Sequence, residues 1–109
     1  MITWPALIKH DGEDELIYIE SQRQWLIDEE MLLYIFTERD VLIDASGKVY
    51  SLSVLQQNIN AEQYLAIASV DNLLELVRAH AAISQQCCIE KIFCQTTAQA
   101  IELVKQLAD

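Results

Sequence analysis

Apolar and polar residues follow two different rhythms along this chain, a period near two in its first half and a helical period in its second. Residues 6–10 and 15–20 are β-like runs on either side of the turn cluster Asp11-Gly12-Glu13-Asp14, and Asp-Gly between two such runs is a hairpin signal. In the second run Ile17 and Ile19 share one face and Leu16 and Tyr18 the other, so both faces are apolar and a strand inside the sheet is expected. The segment DVLIDASGKVYSLS repeats the pattern. Its β-like runs 41–44 and 48–52 enclose Ala45-Ser46-Gly47, with Gly47 supplying a positive φ.

Helical signals lie between and after these hairpins. Ser21-Gln22-Arg23-Gln24 is a capping box that opens a short helix to about Glu29, burying Trp25 and Leu26. The run 32–36 is apolar on both faces and reads equally as strand or buried helix, and 61–70 is similarly ambiguous. A long helix follows, capped by Ser69 or Asp71, with Leu73, Leu76, Val77, His80 and Ile83 on one stripe. Residues 87–94 read as a strand. Thr96-Thr97-Ala98-Gln99 is a second capping box, whose helix has Ala100, Ile101, Leu103, Val104 and Leu107 on its apolar side. Together these predict a single α+β domain over 1–109, a mainly antiparallel sheet built from hairpins with two or three helices packed on one face.

Composition narrows the function. Of 109 residues, 52% are apolar, high for a soluble domain and a hint that a partner or a second copy covers some of that surface. Seventeen acids against seven bases give a formal charge of −10, which repels nucleic acid and anionic membranes and leaves a protein partner as the expected ligand. The imbalance concentrates in residues 1–54, with 11 acids and 4 bases. The N-terminal MITWPALIKHDGEDE lacks the basic and long apolar regions of a signal peptide, and no stretch approaches the roughly 20 apolar residues of a membrane span. With three cysteines, an odd number without framework spacing, this points to a cytoplasmic location.

The candidate chemistry is thin. Cys87, Cys88 and Cys94 lie within eight positions, but structural zinc needs four ligands in spaced pairs, and adjacent cysteines on a strand face opposite ways. Buried strand positions are therefore the preferred reading. A thiolate needs a base or positive neighbour; Cys88 with His80, near the end of its helix, is the catalytic candidate that this chain offers. The acidic turn HDGEDE does not comply with an EF-hand loop. Its Asp11, Glu13 and Asp14, with Asp28, Glu29 and Glu30, form a candidate interaction surface. Trp4 and Trp25 suit either a core or a ligand pocket. There is no P-loop, GxGxxG, GxSxG or HExxH motif, and no cofactor or metal is expected.

The segments WPALIKHDGEDELIYI, DVLIDASGKVYSL and LVRAHAAISQQCCIEKIF resemble a family of short bacterial proteins, about 100 residues long and of unknown function. The resemblance spans almost the whole chain and implies a cytoplasmic bacterial domain without catalytic residues to carry over. The expected function is a non-enzymatic protein-interaction or regulatory module, working with a protein partner or as a homodimer. The alternative is a thiol-dependent protein using the Cys87/Cys88/Cys94 region with His80.

Overall fold

Both hairpins form, and they join edge to edge. In the computed structural model, which describes residues 1–83 and 92–108, β1 (Ala6–Lys9) pairs with β2 (Leu16–Ile19) and, on its other side, with β3 (Val41–Asp44). Strand β3 pairs with β4 (Lys48–Ser51), and β4 with the two-residue β5 (Ala66–Ile67), giving an antiparallel sheet of order β2-β1-β3-β4-β5. The first run is thus inside the sheet and the second is its edge, the reverse of the expectation for 15–20. Strand β2 is apolar on both faces because helices cover it above and below, not because strands flank it.

The pleat sends alternate side chains to opposite faces, and the register keeps each set together: Ala6 faces Ile19 and Asp44, while Ile8 faces Ile17 and Leu42. On this first face Ala6, Ile8, Ile19, Leu42 and Tyr50 pack with Trp25 of α1 (Gln22–Ile27), Met31 of α2 (Glu29–Leu33), and Leu52 and Leu55 of α3 (Leu52–Gln57). On the second face Leu7, Leu16 and Ile43 meet Leu73, Leu74 and Val77 of α4 (Val70–Ile83) and Ala100, Ile101 and Val104 of α5 (Thr97–Ala108). The protein is α+β, as expected, with two long helices on one face of a hairpin-built antiparallel sheet. Three short helices close the other face as well, because the strands are apolar on both.

Both capping boxes form, with the same variation. Ser21 Oγ accepts from Gln24 N (3.3 Å), and Thr96 Oγ1 accepts from Gln99 N (3.1 Å). In each case the glutamine Oε1 reaches back one residue beyond the cap, to Glu20 N (2.7 Å) and to Gln95 N (2.8 Å). Ser69, not Asp71, caps α4: its Oγ accepts from Asn72 N at 3.1 Å. Gly47 has φ 92°, and a Cβ there would lie 2.8 Å from the Ala68 carbonyl oxygen, so the turn needs glycine for two reasons.

Other expectations shift. Asp28 ends α1 and caps α2 through Met31 N (3.2 Å), so the helix expected to reach Glu29 becomes two short ones. Leu26 is exposed, and only Trp25 of that pair is buried. The buried stripe of α4 is Leu73, Leu74, Val77 and Ala81, rotated from the one expected, and Ile83 is exposed. The strand expected over 87–94 falls largely outside the described residues, and 92–94 are irregular. No helix among the described residues is long and apolar enough to cross a membrane.

Candidate functional site

His80, on the last turns of α4, accepts a hydrogen bond at Nδ1 from the Leu16 backbone N–H (3.0 Å). That lone pair is therefore occupied and the ring proton belongs on Nε2; the side chain ties α4 to the start of β2. Cys94 is buried just ahead of α5. Burial pushes its thiol above the ordinary value, the nearby Arg78 guanidinium pulling the other way and Asp71 adding to the rise, which is the opposite of what a nucleophilic thiolate needs. Cys87 and Cys88 lie outside the described residues. Among the described residues no three His, Cys, Asp or Glu side chains are grouped to hold a metal.

Neither tryptophan lines the two surface cavities described below. Trp25 is fully buried in the first core, with Phe36 stacked near it at 6.3 Å between centroids, and Trp4 is half-buried against that core. Two surface cavities lie elsewhere among the described residues. One, of about 410 Å³, is lined by Ser51, Val54, Glu62, Gln63, Tyr64 and Leu65. The other, of about 340 Å³, lies between Phe93, Cys94 and the α5 residues Gln99, Glu102 and Leu103. Neither brings a histidine to a hydroxyl or thiol.

Two buried carboxylates were not singled out by the sequence reading. Asp44, fully buried, accepts from Thr3 N (2.9 Å), Ser46 N (3.0 Å), Ser46 Oγ (2.7 Å) and Lys48 N (2.9 Å), so it builds the β3–β4 turn and holds down the N-terminal segment. Asp40 accepts from Asp11 N (2.8 Å) and Thr37 N (2.7 Å). Burial alone would raise its pKa, but those two N–H groups and the neighbouring His10 more than offset it and hold the carboxyl below its ordinary value. His10 Nδ1 is buried, 3.6 Å from Asp40 Oδ1, and makes no hydrogen bond. Its ring lies against Tyr34 (4.9 Å) and Phe36 (6.0 Å). Hairpin tip and aromatic segment are thereby joined at one buried polar point, with the Asp11, Glu13 and Asp14 carboxylates exposed beyond it.

The most unusual surface is the stretch from α1 to the segment after α2. Leu26, Ile27, Leu32, Leu33, Tyr34 and Ile35 are all exposed, Leu33 and Ile35 by 83% and 88%. Trp25, Met31 and Phe36 from the same stretch are buried and anchor it to the sheet. Gln56 of α3 fastens it further, its Nε2 donating to the carbonyl oxygens of Met31 (2.9 Å), Leu32 (3.1 Å) and Tyr34 (2.7 Å). The candidate acids Glu29 and Glu30 sit exposed in the first turn of α2, beside this apolar surface, with Asp28 half-buried as its cap. Sequence reasoning found these acids but left 32–36 open between strand and buried helix; residues 29–33 are helix, 34–36 are irregular, and of 32–36 only Phe36 is buried.

The model of one protein family, DUF4144, described as a protein structure with unknown function, matches residues 4–104. The chain belongs to this family. The match takes in the sheet, α1 to α4 and most of α5. A solved structure, the NMR structure of a protein from Shewanella amazonensis, is similar to this chain with a TM-score of 0.71 at 23% identity, over 98% of this chain and 90% of that one. At that identity the likeness concerns the fold. No curated protein matches the chain. The family description names no activity, and the functional reading therefore rests on this chain's own surface.

Proposed function

We propose that this protein is a non-enzymatic interaction module that binds another protein through the apolar surface of α1, α2 and residues 34–35. The observation that carries this reading is the concentration of six exposed large apolar side chains within ten positions, 26–35. Scattered exposed leucines are ordinary, but a contiguous apolar stretch rimmed by charge is the usual mark of a docking site. Anchoring supports it too. The buried Trp25, Met31 and Phe36, together with Gln56, hold the backbone of the stretch in place, so its exposed side chains are presented without a large ordering cost.

Thiol chemistry draws less support from the described residues, where Cys94 is buried and its thiol raised, and His80 Nδ1 is taken by a backbone N–H. A photo-crosslinking amino acid placed at position 33 or 35 in cells is expected to trap a discrete protein adduct. The same group at the exposed Glu75 of α4 serves as control. Equal labelling at all three positions, or none at 33 and 35, rejects the reading.

A further inference from the structure

Resting on that reading, we infer that the occupant of the 26–35 surface is a cationic amphipathic helix of another protein. Three observations select it. The first is charge. Between Arg23 and Arg39 the chain has four acids, Asp28, Glu29, Glu30 and Glu38, and no base. Glu29 and Glu30 are exposed, and among the described residues neither takes part in an ion pair. Lysine or arginine on the partner supplies the missing counter-charge while its apolar side meets Leu33 and Ile35.

The second observation concerns the backbone. The carbonyl oxygens of Met31, Leu32 and Tyr34 already accept from Gln56 Nε2, at 2.9, 3.1 and 2.7 Å. An added strand pairs with main-chain carbonyls as well as N–H groups, and three carbonyls of this segment are already engaged, which favours recognition through side chains. Helix recognition works in that way, with anchors at i, i+3 or i+4, and i+7. Those anchors span roughly 10 Å, close to the about 9 Å length of the six-residue α1.

The third observation weighs against a second copy. A symmetric dimer places the same patch on both sides of the contact. It would bring two acidic patches together, between molecules that each carry a charge of −10. The same field repels an anionic membrane.

The test titrates the full chain with three fluorescent 18-residue peptides. One has leucine at helical spacing and lysine elsewhere, one has glutamate in place of lysine, and one scrambles the leucine–lysine composition. The patterned lysine peptide is expected to bind most tightly. Its affinity should fall about tenfold in Leu33→Ser/Ile35→Ser, and roughly three- to tenfold at low salt in Glu29→Lys/Glu30→Lys. The emission of buried Trp25 checks that each variant is folded. Equal binding of the glutamate or scrambled peptide overturns the cationic-helix assignment. So does a dimer in sedimentation that Ile35→Ser abolishes, although the surface would then still be an interaction site. If no peptide responds to Leu33→Ser/Ile35→Ser and position 35 traps no adduct, the interaction reading itself fails.

Discussion

The two faces of the sheet are closed by different kinds of helix. On one side α4 and α5, of 14 and 12 residues, bury a single stripe each and present residues such as Asp71, Glu75, Gln99 and Lys105 to solvent. On the other side α1 and α2, of 6 and 5 residues, bury one large anchor apiece, Trp25 and Met31, and turn leucine and isoleucine outward. A helix that serves only the core needs one apolar face. The long helices meet that description save for Ile83 at the end of α4; the short ones carry apolar residues beyond what the core uses, and the surface proposed above for docking is made of that surplus.

The comparison can be broken most sharply in the two cores. Trp25→Ala on the first face is expected to destabilise the protein by about 3–5 kcal/mol and Ile101→Ala on the second by about 2–5 kcal/mol, both read from urea unfolding. Either loss below about 1 kcal/mol would show that one face is dispensable. A smaller effect separates the polar anchors beneath the first face from their surroundings. Asp40 has a folded pKa below its ordinary value of 3.8, so its contribution is fully present above that value and is lost as the pH falls through the lower folded pKa. Asp40→Asn should lower stability at neutral pH and flatten the acid limb of the stability curve, whereas an unchanged limb would show that the carboxylate contributes nothing through its backbone donors. The smallest effect is expected at the outward side chains. Leu33→Ser and Ile35→Ser should each change unfolding stability by no more than about 0.5 kcal/mol. A loss comparable to the core variants would make them packing residues and remove the contrast between the faces.

Residues whose roles depend on near neighbours in the chain were legible. Asp11-Gly12 and Ala45-Ser46-Gly47 announce their turns, and Ser21 and Thr96 announce their helices, because hairpin turns and caps are set within four or five residues. Residues whose partners lie far along the chain were not. His80 is explained by Leu16, 64 positions away, and Asp44 in part by Thr3, 41 positions away. The ambiguity of 32–36 has the same origin. An apolar run predicts burial only if something arrives to cover it, and here Leu33 and Ile35 are left almost wholly exposed and Leu32 only half-covered.

By itself the sequence determined the hairpins, the capped helices, the α+β class and the acidic field, all of which follow from local backbone preference, hydrophobic period and simple charge. Tertiary structure alone decided which strand became the edge, that both sheet faces are closed, and which apolar residues remain outside. Those outcomes depend on how much covering surface reaches each face. In this protein α3 and the paired short helices suffice to seal the first core around Trp25 and Phe36, and they leave Leu33 and Ile35 facing water.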